Sequence, residues 1–182
     1  SFDLPNEFSD EVMIEAKGID NKVDKKDIQN RIDKRNDLIF TIDGEDAKDL
    51  DDAVKVTRLD NGNYKLDVHI ADVSHYVREK TNLEKEARIR GTSIYMLGRV
   101  IPMLPRKLSN GICSLNAGKD RLALSCSMEI NRQGQIVSSD IYKSVVKVCE
   151  RMSYTDVQKI LDKSDATLAS NCLLLTKTSI RF

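Results

Sequence analysis

The chain has 182 residues, 40% of them hydrophobic, which suits one ordinary domain, or part of a larger protein, with enough apolar content for a core. Lys plus Arg and Asp plus Glu balance at 29 each, which excludes the whole-chain positive footprint of a general nucleic-acid binder. The longest apolar run near the end, Cys172-Leu-Leu-Leu175, falls far short of the ~18 residues that a bilayer span requires, so no membrane association is expected. The first residues lack the basic and apolar regions of a signal peptide, and cysteines 113, 126, 149 and 172 form no CxxC pair. A cytoplasmic protein with reduced thiols is the expectation.

In chain order, Ser9-Asp-Glu-Val12 predicts a helix start, and Ile28 and Ile32 stand at helical spacing within the charged stretch 24–37. Residues 1–37 therefore read as a helical linker region ahead of a domain. Leu38 to Ile42 reads as a strand running into an acidic loop, after which Val54-Lys-Val56 resumes alternation. Asp60-Asn-Gly-Asn63 is a turn signal before Tyr64 to Ala71, where Tyr64, Leu66, Val68 and Ile70 share one face, so a hairpin with that face buried is expected. Thr81-Asn-Leu-Glu84 has capping-box form and opens a helix through Arg90, with Gly91 placed to end it. Residues 91–118, with Pro102 and Pro105, read as irregular. In a second hairpin, Leu122, Leu124, Cys126, Met128 and Ile130 alternate, Asn131-Arg-Gln-Gly134 turns, and Ile136 to Val148 returns. Thr155-Asp-Val-Gln158 then caps a helix with Val157, Ile160 and Leu161 facing inward, and beyond Lys163 the pattern is uninformative.

The acidic loop, Asp43-Gly-Glu-Asp-Ala-Lys-Asp-Leu-Asp-Asp52, holds five aspartates, one glutamate and one lysine. Carboxylates at contact distance repel by about 4 kcal/mol at an effective dielectric of ~20. A divalent cation removes that conflict, and hard oxygen donors with no His or Cys nearby favour Mg or Mn over Zn or Cu. A calcium loop of the EF-hand kind needs Gly at its sixth position and Glu at its twelfth, and no starting point in this run supplies them. A solvated acidic loop is the plain alternative. Against it stand the apolar Ile42 and Leu50 and the flanking strands, which hang the loop from the core. Between Lys85 and Arg121 eight basic residues face two acids, an arrangement that suits a phosphate substrate meeting a metal but also an ordinary solvated face.

Thr41-Ile-Asp-Gly-Glu-Asp-Ala-Lys-Asp-Leu-Asp-Asp-Ala53 resembles the RNB catalytic domain of the ribonuclease II and ribonuclease R family, the ribonuclease R branch most of all. Further matches follow at Val68-His-Ile-Ala-Asp-Val-Ser-His75, Arg90-Gly-Thr-Ser-Ile-Tyr95, Val100-Ile-Pro-Met-Leu-Pro105 and Leu108-Ser-Asn-Gly-Ile-Cys-Ser-Leu-Asn116. The resemblance implies a magnesium-dependent exoribonuclease that degrades single-stranded RNA from its 3′ end to nucleoside 5′-monophosphates. It places the catalytic, metal-holding aspartates on Asp43, Asp49, Asp51 and Asp52, with Asp51 mattering most for the chemical step. Tyr95 matches the tyrosine that stacks on the terminal nucleotide, and Tyr154 one that contacts the substrate near its 3′ end. Either tyrosine alone would more often be a core or interface residue. Such carboxylates can hold one or two metals, orient a water and stabilise a leaving oxygen. His69 and His75 receive no role: His69 is expected opposite the buried face of its strand, and His75 just beyond it.

The fold class expected is therefore α+β, a partial RNB-type catalytic domain of mixed-sheet hairpins with flanking helices. Residues 38–162 are read as its N-terminal half and 163–182 as a tail of uncertain origin. The resemblance implies that the second half of the domain, an assisting arginine within it and flanking oligonucleotide-binding barrels belong to the parent protein. The alternative is a non-catalytic RNA-binding or structural fragment; with half the domain absent, the apolar face of Val157, Ile160 and Leu161 is expected to lack a partner, so that the fragment self-associates or is marginally stable and shows little or no exonuclease activity.

Overall fold

The computed structural model describes residues 7–162. Its centre is a mixed seven-stranded sheet in the order β1-β8-β7-β4-β3-β2-β9. The strands are β1 (Ile32–Lys34), β2 (Phe40–Asp43), β3 (Asp52–Arg58), β4 (Tyr64–Ala71), β7 (Asp120–Ile130), β8 (Ile136–Lys147) and β9 (Glu150–Ser153). A separate two-stranded ribbon joins β5 (Ile94–Met96) to β6 (Arg99–Ile101). The helices are α1 (Asp10–Gly18), α2 (Lys25–Ile28), α3 (Val73–Tyr76), α4 (Asn82–Arg90) and α5 (Tyr154–Leu161).

Both expected hairpins are present. Strands β3 and β4 pair antiparallel with Val54 opposite Val68, and β7 and β8 pair with Cys126 opposite Ile141. Gly62 and Gly134, at φ of 84° and 79°, supply the left-handed backbone their turns require. The α+β class holds, and the edges of the sheet are what sequence spacing did not show. At one edge β1 runs parallel to β8, and at the other β9 runs parallel to β2. The helical spacing of Ile28 and Ile32 is thus misleading: α2 is a single turn capped by Asp24, whose side chain accepts the Lys26 N–H, and Ile32 already belongs to a strand.

One face of the sheet carries Ile39, Leu50, Ala53, Ala71, Leu115, Ala123, Val146 and Val148, packed together. Beyond them a second layer gathers Val12 and Ala16 of α1, Leu83 of α4, and Leu104, Leu108, Ile112 and Cys113. Helix α1 is capped by Ser9 and α4 by Thr81, and the Glu15 carboxylate of α1 accepts the N–H groups of Asn82 and Leu83, which ties one helix to the start of the other. On the opposite face α5 covers only one end, packing Val157 and Ile160 on Phe40 and Met152. Leu161 is exposed, contrary to the inward orientation expected of it.

Strand β4 reverses its expected orientation. Asp67, His69 and Ala71 are the buried side chains, and Ile70 is 46% exposed. Most inward polar groups are partnered: His69 Nδ1 lies 2.7 Å from Ser125 Oγ, Ser125 Oγ lies 2.6 Å from Ser144 Oγ, and the Ser127 hydroxyl donates to Asp67, while His69 Nε2 is buried with no hydrogen-bond partner among the described residues. Side-chain hydrogen bonds therefore offset the cost of burying this face. The apolar face, with Ile70, Leu124 and Ile141, is left open among the described residues.

Candidate functional site

The acidic loop joins β2 to β3, and its ends are fixed by those strands. Asp43 is the last residue of β2 and Asp52 the first of β3. Between them Leu50 is 2% exposed and sits in the core, so Asp49 and Asp51 flank a buried anchor and are carried at the surface on either side of it. Backbone bonds tie the loop throughout. Leu115 N–H donates to Leu50 C=O at 2.8 Å and Ala71 N–H to Asp51 C=O at 2.9 Å. The Arg151 guanidinium on β9 donates to the carbonyls of Gly44 and Glu45 at 2.9 and 2.6 Å. Ser114 Oγ accepts Leu50 N–H and donates to Lys48 C=O, each at 3.0 Å.

The carboxylates act on one another. Burial pushes the Asp51 carboxyl above the usual range, and the charges of Asp49, Asp52 and Asp43 add to the shift. Burial likewise raises Asp43, with Asp52 and Asp49 contributing. Asp43 Oδ2 and Thr41 Oγ1 are buried without a hydrogen-bond partner, on residues two apart that share a face of β2. An orphaned carboxylate oxygen, like charges held in range of each other and an all-oxygen donor set fit a hard divalent cation. Among the described residues, however, no three His, Cys, Asp or Glu side chains converge into a closed coordination sphere.

Tyr95 reaches this cluster from the β5–β6 ribbon, its hydroxyl donating to Asp49 while the residue stays 63% exposed. That bond is the first cause holding its phenol above the ordinary value. Tyr154 begins α5 and is exposed, and it has no hydrogen bond to the aspartates. It is nevertheless at the same end of the sheet: Ser153 stands opposite Asp43 in the β2–β9 register, and Thr155 Oγ1 donates to Glu45 at 3.1 Å. The structure thus sets Asp43, Asp49, Asp51 and Asp52 on one loop without gathering three of them into a metal-holding group among the described residues, joins Tyr95 to Asp49, and places Tyr154 at the same end of the sheet. A cleft of about 260 Å³ lined by Glu45, Arg151, Ser153 and Asp156 opens next to the loop.

His69 is fully buried, not opposite the buried face as expected, and burial pushes its imidazole down to about 4. His75 is engaged elsewhere, with Nε2 3.2 Å from Asp27. The basic stretch is partly spent on structure: Arg88 and Arg90 pair with Glu84 and Glu86, Lys107 donates to Lys17 C=O, and buried Arg121 donates to Ser114 C=O. Sequence reasoning missed Thr41, Ser114 and Arg151 as parts of the site. Ser114 lies inside a matched motif, which was the available signal, whereas Arg151 is connected to the loop only through the pairing of β9 with β2.

Known proteins are similar to this chain in sequence and in fold. The ribonuclease R of Thermotoga maritima is 57% identical over 158 residues, 87% of this chain and 22% of the relative. Mycoplasma genitalium RNase R in complex with double-stranded RNA superposes with a TM-score of 0.87 at 32% identity, over 94% of this chain and 31% of that one. The same enzyme in complex with ribose methylated single-stranded RNA gives a TM-score of 0.86 at 32% identity, over 94% and 27%. The chain spans about a fifth of the length of the curated relative and about a third or less of the solved chains. A family model described as the RNB domain matches residues 31–180, beginning just before β1 and running past α5. On that match, and on the sequence identity and superposition of these relatives, the chain belongs to the RNB domain family.

Proposed function

We propose that the chain is the N-terminal half of the catalytic domain of a magnesium-dependent exoribonuclease, manganese serving as substitute, which hydrolyses single-stranded RNA from its 3′ end to nucleoside 5′-monophosphates in the cytoplasm. The observation that supports this reading is the strand-anchored loop that carries Asp43, Asp49, Asp51 and Asp52, with the Tyr95 hydroxyl on Asp49. Bound there, the cation would polarise a phosphoryl oxygen and lower the pKa of a water. The four aspartates would hold it. The exposed Tyr95 ring offers a surface on which a terminal base can stack without regard to sequence, as a stepwise degrader needs, and Tyr154 would contact the strand from α5. The second half of the domain and the oligonucleotide-binding barrels of the parent would supply the rest of the RNA channel.

The test is Asp51→Asn in the full-length parent, which removes a charge at nearly constant volume. Hydrolysis of a labelled oligonucleotide should fall about 100-fold or more, while binding of that oligonucleotide stays within a few-fold. Binding that falls in step with rate would refute the catalytic assignment. A second reading, a non-catalytic RNA-binding or structural fragment, draws on the absence of a closed coordination sphere among the described residues. Chelation separates the two, because loss of hydrolysis on adding EDTA and recovery with Mg fits only the first.

A further inference from the structure

Ser114 is fully buried, and its hydroxyl bonds to both backbone groups that flank Asp49. As acceptor it takes the Leu50 N–H at 3.0 Å, and as donor it holds the Lys48 C=O at 3.0 Å. A serine hydroxyl has one proton to give and two lone pairs to offer, so a single Oγ can fill both roles. The neighbouring Leu115 N–H donates to Leu50 C=O at 2.8 Å. The Ser114 carbonyl in turn accepts Arg121 Nε at 2.8 Å, and Arg121 is itself buried on β7. A continuous line of bonds thus runs from the sheet through Ser114 to the peptide planes on either side of Asp49.

That line opposes a force the loop generates itself. Asp43, Asp49, Asp51 and Asp52, all within ten residues, repel one another, and a free loop would relieve the repulsion by rotating its peptides and spreading the side chains. From this geometry we infer that Ser114 is a positioning residue of the carboxylate loop, acting through Lys48 C=O and Leu50 N–H to keep Asp49 turned toward its neighbours before any ion arrives. The inference rests on the proposed reading in its second half only, namely that these carboxylates take a divalent cation.

The experiment uses the 182-residue chain as wild type, Ser114→Ala, Ser114→Thr, and Val145→Ala, the last removing volume from a buried β8 position outside the loop. Metal-free hydrogen exchange at the Leu50 amide should accelerate tenfold or more in Ser114→Ala and should not change specifically in Val145→Ala. Mn affinity, read as free Mn by electron paramagnetic resonance, should weaken about 5- to 20-fold in Ser114→Ala, stay within twofold in Val145→Ala and recover at least partly in Ser114→Thr, which keeps the hydroxyl. A folded Ser114→Ala protein with wild-type Leu50 exchange overturns the clamp, and one with wild-type Mn affinity overturns its role in positioning. Wild-type protein that takes up no Mn would overturn the metal reading instead, leaving the Leu50 amide to decide the clamp alone.

Discussion

The ring and the hydroxyl of Tyr95 face different tasks, one open to solvent and the other on Asp49. Tyr95→Ala should remove a stacking platform worth ~1 to 3 kcal/mol, slowing cleavage by the parent enzyme or lengthening its final product. Tyr95→Phe keeps the platform and loses only the bond to Asp49, so its product ladder should stay close to wild type. Identical ladders for all three proteins on a single-stranded oligonucleotide would remove Tyr95 from the site. His69 makes a different prediction. Its folded imidazole titrates at about 4 because of burial, whereas an unfolded histidine titrates near ~6.5. Between those values the unfolded chain binds the extra proton, so this residue's contribution to stability is intact above ~6.5 and is lost as pH falls toward ~4. The loss from pH 7 to pH 5 should be about 2 kcal/mol, and His69→Gln should be free of it. Urea unfolding of both proteins at the two pH values measures the difference, and equal acid losses would contradict it.

At the scale of elements, α5 depends on its first turn. Ser153 and Asp156 form a reciprocal capping box there, and Thr155 in the same turn touches Glu45 of the acidic loop. Ser153→Ala should cost about 1 kcal/mol in chemical denaturation, with a lowered midpoint and an unchanged slope. The long elements were legible from sequence because their turn residues and alternation are local signals: the β3–β4 and β7–β8 hairpins and the starts of α1 and α4 lie where the pattern puts them, whereas α5 is capped by Ser153 and not by Thr155. Strands β1, β5, β6 and β9 are three or four residues long, too short to show a period, and exist because a partner edge is available. The same limit hid half of the site. The aspartates could be read off one continuous stretch, whereas Ser114 and Arg151 meet it only after the chain has folded back. The inversion of β4 has another cause: the rule that apolar residues face inward fails where a polar layer such as His69, Ser125 and Ser144 is internally bonded.

At the scale of the molecule, an apolar surface is left open on the sheet among the described residues. Val157 and Ile160 already pack on Phe40 and Met152, so the expectation that they lack a partner is corrected for these two, whereas Leu161 is exposed. Ile70 and Leu124 pair across β4 and β7 at 46% exposure each, with Ile141 on β8 at 68%. Adjacent apolar groups of this kind promote association. The isolated chain is therefore expected to self-associate and to show little or no exonuclease activity on labelled poly(A) with Mg. Size-exclusion chromatography should show oligomers that Ile141→Lys shifts toward monomer, and a stable monomer degrading RNA at the rate of the parent would contradict both expectations.

The parallel pairing of β2 with β9 sets the order in which this molecule can be made. Asp43 stands opposite Ser153, so the strand that ends in the first aspartate is completed by residues synthesised 110 positions later (153 minus 43). Closing so long a loop is slow compared with forming the β3–β4 and β7–β8 hairpins, whose contacts are local. During synthesis the hairpins can assemble while the acidic loop still lacks Arg151, whose bonds to Gly44 and Glu45 form only when β9 leaves the ribosome. Refolding should show the same sequence in time, with sheet signal returning before the acidic loop becomes protected. A nascent chain thus completes the contacts of its first aspartate only after the two hairpins of the scaffold can already be in place.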